Sequence, residues 1–76
     1  MVKKKGVLCY DRESGRYDIY FGNGSYYGGL HCGDCFDVEM DGDWGPVRIE
    51  MDDDWDLVGV PKIRLDGLTV RADWYE

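Results

Sequence analysis

Phe36-Asp37-Val38-Glu39-Met40, Asp41-Gly42-Asp43 and Trp44-Gly45-Pro46-Val47-Arg48-Ile49-Glu50-Met51 follow one another without a break, and residues 36–51 decide the fold. Apolar residues at 36, 38 and 40, and again at 47, 49 and 51, alternate with polar ones, the period of a strand with one buried face. Between them Asp41-Gly42 is the dipeptide best able to take the positive φ angles of a two-residue hairpin turn. The pattern predicts strands over 35–40 and 44–51, paired antiparallel.

Working outward, Tyr17, Ile19 and Phe21 alternate in the same way over 16–21, and Glu13-Ser14-Gly15 turns the chain from a first strand near 6–10. On the other side, Met51-Asp52-Asp53-Asp54 leads into Trp55-Asp56-Leu57-Val58, and Asp66-Gly67 precedes a last strand over 68–72. No stretch sustains a 3.6-residue period, and each of the 11 glycines would cost about 0.5–1 kcal/mol inside a helix. The expected class is all-β: 5–6 short strands in a strongly bent antiparallel sheet or a small barrel.

A chain of 76 residues is read as one domain, 1–76, burying only roughly 60% of its unfolded surface. Met1-Val2-Lys3-Lys4-Lys5 reads as a basic tail, and residues 22–29, with four glycines, as a mobile loop with exposed Tyr26 and Tyr27. The apolar residues are too dispersed for a membrane span, and Val7-Leu8-Cys9-Tyr10 is too short for a signal-peptide core. A soluble cytoplasmic protein is expected. The net charge of −7 with scattered basic residues disfavours direct nucleic-acid binding and suits a basic partner.

Cys9, Cys32 and Cys35 cannot all pair within the chain, so reduced thiols are expected. His31-Cys32-Gly33-Asp34-Cys35 has half the spacing of a zinc site, which Cys9 or His31 would have to complete; the competing reading is a turn with small apolar fillers. Asp37, Glu39, Asp41 and Gly42 imitate the start of a calcium loop, but Arg48 stands where the closing carboxylate belongs. Glu50, Asp52, Asp53, Asp54 and Asp56 surround Trp55, either as a solvated turn or as a surface that steers a basic partner. A single histidine and the absence of nucleophile, phosphate-loop and dinucleotide motifs argue against catalysis.

Leu30-x-x-Gly33-Asp34-x-Phe36-x-Val38, Gly42-Asp43-Trp44 and Gly59-Val60-Pro61 resemble the middle of an SH3 domain, and Leu8-Cys9-Tyr10-Asp11 is similar to its opening. The resemblance spans about half the chain and implies an SH3-like barrel whose aromatic groove docks proline-rich segments. It implies Tyr10 and Trp44 as groove walls, Pro61 as floor, and acids between Tyr10 and Leu30 as partners for a ligand arginine. No tyrosine follows Pro61 at the family's distance, and Gly45 replaces a frequent second tryptophan.

The longer run from Leu30 to Arg71 resembles a small bacterial family of unknown function. The likeness rests on Leu30-His31-Cys32-Gly33-Asp34, Trp44, Arg48-Ile49-Glu50, Trp55-x-Leu57 and Leu65-Asp66-Gly67-Leu68. The functional expectation is a non-enzymatic protein-binding module without a cofactor, its partner basic or proline-rich. Candidate contacts are Tyr10, Trp44, Pro61, Asp52, Asp53, Asp54 and Trp55. Alternatives are an acidic mimic of nucleic acid that occupies a basic protein, and a zinc-stabilised module using Cys9, His31, Cys32 and Cys35.

Overall fold

In the computed structural model, which describes residues 2–74, the alternation becomes seven strands and, among the described residues, no helix. They are β1 (Val2–Asp11), β2 (Arg16–Gly22), β3 (Ser25–Tyr26), β4 (Cys35–Met40), β5 (Asp43–Met51), β6 (Trp55–Val58) and β7 (Thr69–Trp74). All lie in one antiparallel sheet of order β3-β2-β1-β7-β4-β5-β6, whose two edges, β3 and β6, remain unjoined. The sheet is strongly bent, not a closed barrel.

The deciding hairpin forms as its sequence dictates. Asp41 and Gly42 take φ of 54° and 84°, and Met40 faces Asp43 while Phe36 faces Val47. Positive φ at both central positions matches the right-handed twist of the flanking strands.

Two three-stranded meanders, β1–β3 and β4–β6, flank β7, which pairs with β1 and β4. Every second residue points inward, so Leu8, Ile19, Val38, Val47, Ile49, Leu57, Val70 and Ala72 form one core, closed by Leu30 and Leu65 from the connections. The bend brings the start of β6 to the β1–β2 turn, where the Trp55 indole Nε1–H donates to the Gly15 carbonyl at 2.8 Å. It also forces Gly6 against β2: a Cβ there would lie 2.6 Å from the Tyr20 carbonyl oxygen and 2.7 Å from Ile19 Cγ2.

The structure departs from expectation in three places. Val2–Lys5 is not a tail but the first half of β1, opposite Trp74–Arg71. A stretch of lysines reads as a solvated arm because a strand's partner 70 residues away leaves no local signal. Residues 22–29 are not wholly irregular, since β3 pairs with β2 and raises the strand number above six; Tyr27 packs against the core, its N–H donating to the Ile19 carbonyl at 2.9 Å. Met51 has the inward phase but is 49% exposed, because it lies where β5 runs out of core. No helix among the described residues is long and apolar enough to cross a membrane.

Candidate functional site

The residues between the inward ones build the outer face, and its two halves carry different chemistry. On β1 and β2, Val7 faces Tyr20 and Cys9 faces Asp18; on β3, Tyr26 faces Tyr20, and on β7, Thr69 faces Val7. Val7, Tyr20 and Tyr26 are 43%, 37% and 51% exposed, and the two tyrosine rings stack at a tilt with centroids 4.9 Å apart. A row of large apolar groups crossing β1, β2 and β3 is therefore left in water, although the core had inward positions for side chains of this kind.

Two shallow hollows adjoin this row. One, of about 290 Å³, is lined by Lys5, Gly6, Val7, Tyr20, Phe21, Gly22 and Thr69. The other, of about 390 Å³, is lined by Cys9, Tyr10, Asp11, Asp18 and Tyr26. Burial, and then the carboxylates of Asp18, Asp66 and Asp11, push the Cys9 thiol above its ordinary pKa; two of those carboxylates, Asp11 and Asp18, line the second hollow. Asp18 is held rigidly, its Oδ1 accepting the amides of Ile19 at 2.8 Å and Gly28 at 3.0 Å.

The outer face of β4, β5 and β7 is neutralised from within. Asp37 is nearly buried, and its Oδ2 accepts from Lys3 Nζ at 2.7 Å and Arg71 Nε at 2.9 Å. Those two hydrogen bonds hold its carboxyl below the usual 3.8 against a desolvation that opposes them. The Arg71 guanidinium in turn covers the Trp44 ring, 4.5 Å from its centroid, a cation–π contact.

The sequence-predicted residues are only partly brought together. Tyr10 lies opposite Tyr17, on the core-facing phase, with the two rings edge to face at 5.1 Å. Trp44 lies opposite Glu39, on the outer phase, and lines a separate depression with Val38, Met40, Asp43, Gly45 and Val60. Pro61 is exposed immediately after Val60. Tyr10 and Trp44 therefore do not wall one groove.

Trp55 is half-buried and bonded to Gly15, so its indole joins the two ends of the sheet. Of the acids around it, Glu50 pairs with Arg48 at 2.9 Å, Asp54 accepts the Trp55 amide at 2.8 Å and Asp56 the Leu57 amide at 2.9 Å. Asp52 and Asp53 are exposed.

The cysteines are free. Cys32 and Cys35 are exposed around a turn in which the Asp34 amide donates to the His31 carbonyl at 3.1 Å, while Cys9 sits on β1. Among the described residues no three His, Cys, Asp or Glu side chains converge as a metal-holding group.

Sequence reasoning missed Val7 and Tyr20. Their signal was present: in a strand with one buried face, the apolar residues on the opposite phase are the ones that need a reason.

A family model described as Domain of unknown function (DUF5348) matches residues 6–72. A crystal structure of a protein from Ruminococcus gnavus, a structural-genomics target, is similar over 91% of this chain and 100% of its own, with 62% sequence identity and a TM-score of 0.87. No curated protein matches.

Proposed function

The chain belongs to the DUF5348 family, whose description names no activity, and from that premise we propose that it is a non-enzymatic, cytoplasmic protein-binding module. The observation that carries this reading is the exposed Val7–Tyr20–Tyr26 row with its two hollows. Tyrosine gives large contact area at little cost in side-chain entropy, the property that makes it frequent at binding surfaces. A partner with a proline-rich or basic segment suits the chemistry, because tyrosine faces accept extended chain and Asp11 and Asp18 border the row. Three free cysteines agree with a reducing compartment.

Peptide recognition by an SH3-like groove between Tyr10 and Trp44 has less support than recognition on this face, since those residues stand on opposite phases of the sheet. Mimicry of nucleic acid is likewise weakened, because Glu50, Asp54 and Asp56 are engaged within the chain.

The test is site-specific photo-crosslinking in native cytoplasm, with the photoreactive residue in place of Tyr20 or, on the opposite edge, of Val58. A discrete protein adduct at position 20 that disappears when Tyr26→Ala is added is the expected result. Identical adduct patterns from both positions would count against the reading.

A further inference from the structure

β1 outruns one of its neighbours. It pairs with β7 from Val2 to Val7, but with β2 only from Val7 to Asp11. By continuation of that register Gly22 would face Lys5. Instead β2 ends at Gly22, whose φ is 99°, and the chain turns back into β3, where Gly22 faces Ser25. Among the described residues, the side of residues 2–5 turned toward β2 therefore meets no strand. Main-chain direction follows from Leu8, whose N–H donates to the Leu68 carbonyl and whose carbonyl accepts from Gly67, both at 2.8 Å. Leu8 thus faces β7. Strand alternation turns the amides and carbonyls of Lys4 and Gly6 the same way, and those of Lys3, Lys5 and Val7 to the opposite side. Val7 finds Tyr20 there, whereas Lys3 and Lys5 find no strand.

Lysine side chains carry donors only, so they cannot cap an open amide as Asp54 and Asp56 do on β6. They do give this edge a sign. Lys3 is held by Asp37 at 2.7 Å and faces Asp73, and Lys4 stands over the Phe21 ring. Lys5 is exposed and joins none of the ion pairs among the described residues. It lies directly opposite Arg71, a like-charge pair that costs stability unless an anion comes between. Beside Lys5, where the edge meets β2, opens the hollow of about 290 Å³ lined by Val7, Tyr20, Gly22 and Thr69.

Going beyond the tyrosine row, we propose that this edge takes an extended acidic segment of a partner protein as an added antiparallel strand, in line with β2. Ladder hydrogen bonds to the amides and carbonyls of Lys3 and Lys5 supply affinity, and alternate side chains supply specificity. The segment residues opposite Lys5 and Lys3 lie on the outer face, about 7 Å apart. A glutamate opposite Lys5 lays its methylenes over the hollow and sets its carboxylate against the ammonium. A second copy of the same edge is a poor occupant, because lysine would meet lysine. The net charge of −7 repels an acidic segment at long range, so the contact depends on local pairing and the ladder, not on steering.

The test uses the full chain. In the free protein, the Lys3 and Lys5 amides should exchange hydrogen roughly tenfold faster or more than those of Lys4 and Gly6, which the β7 ladder holds. Amide NMR titration with the blocked peptide Val-Glu-Val-Glu-Val should then shift Lys3, Lys5, Val7 and Gly22. Methylating both glutamate nitrogens removes the N–H groups that face β1 and should weaken binding roughly tenfold or more. Methylating the central valine nitrogen, which faces away, should change it little. The peptide Val-Lys-Val-Lys-Val should bind roughly tenfold more weakly than its glutamate counterpart. Lys5→Glu, a change at an exposed position, should leave the spectrum native and narrow or reverse that preference.

Equal protection of Lys3, Lys4, Lys5 and Gly6 in the free chain would show the edge already closed and overturn the proposal. Binding indifferent to glutamate N-methylation, equal affinity for the lysine peptide, or no shift with any peptide at millimolar concentration would overturn it as well. Protection of Lys3 and Lys5 that grows with protein concentration would assign the edge to a second copy and count against an acidic partner. Shifts confined to Tyr20 and Tyr26 would remove the edge site and leave the tyrosine row standing; loss of the position-20 crosslink is the separate result that removes the row.

Discussion

The two meanders on either side of β7 are built alike and finished differently. Both turn apolar residues inward to a shared core, both are antiparallel hairpins, and both carry a glycine on the inward phase, Gly6 on β1 and Gly45 on β5. In β4–β6 the outer face is closed by its own charges: Asp37 gathers Lys3 and Arg71, Arg71 covers Trp44, and Arg48 pairs with Glu50. In β1–β3 the outer face keeps exposed tyrosines, and among the described residues Asp11 and Asp18 form no ion pair but accept hydrogen bonds from Glu13, Ser14, Ile19 and Gly28. One half closes its outer face with ion pairs and a cation–π contact, and the other leaves its tyrosines exposed.

The edges repeat the contrast. In β6 the pairing Ile49 opposite Leu57 is not bridged through Ile49, whose N–H instead donates to the Asp34 carbonyl and whose carbonyl accepts from Gly33. By strand alternation the Trp55 and Leu57 amides then face outward, and the carboxylates of Asp54 and Asp56 cap them. A capped, negatively charged edge resists pairing with another strand. This gives the acidic run around Trp55 a structural task that its composition alone did not suggest.

The sharpest way to break the comparison is to add one methyl group to each half. Gly6→Ala must push against the Tyr20 carbonyl and Ile19, backbone and fully buried core, and should cost about 3 kcal/mol. At Gly45, nothing lies within 4 Å of the added Cβ, so Gly45→Ala should be neutral or stabilise by up to about 1 kcal/mol. Chemical denaturation measures both. Equal effects would mean that the bend of β1 over β2 is not a fixed feature of the fold.

A smaller effect is expected at Asp37. Asp37→Asn should cost about 1–2 kcal/mol at neutral pH, moderated because Lys3 and Arg71 are partly in water. The folded-state pKa lies below its ordinary 3.8, so the charged form is the one that folding favours. This stabilisation is fully present above about pH 4 and is lost as pH falls through the folded pKa. Stability measured against pH should therefore decline in acid less steeply for Asp37→Asn than for the parent chain; parallel curves would deny Asp37 its place in the network.

The smallest change in stability, under about 1 kcal/mol, is expected from removing the edge caps with Asp54→Ala and Asp56→Ala together. Its consequence lies in association. The uncapped β6 should self-associate in a concentration-dependent way in sedimentation, whereas Asp54→Asn with Asp56→Asn, which keeps an acceptor at both places, should do so less. A double alanine variant as monomeric as the parent would show that the caps do not guard the edge.

Strand phase was legible wherever partners were close in sequence. The triplets at 17–21, 36–40 and 47–51, with Asp41-Gly42 between the last two, sufficed for the core and the hairpin, because pleat period and turn chemistry are local properties. The N-terminal lysines were not legible as a strand, since their order comes from β7 and from the Asp37 carboxylate, at a sequence distance that no local pattern spans. Trp55 drew attention as a candidate contact among acids and proved to be bonded to Gly15, 40 residues away.

The amino-acid order by itself determined the all-β class, the hairpin at Asp41-Gly42 and the apolar face of β2, β4 and β5, because period-2 alternation and positive-φ turn residues act over a few positions. Only the tertiary structure decided which polar and aromatic residues are engaged and which stay open. Trp44 is covered because β7 brings Arg71 above it, whereas Tyr20 and Tyr26 stack on each other and stay partly exposed. Whether an outer side chain meets a partner depends on strand order across the sheet, and strand order is set by the burial of one shared core.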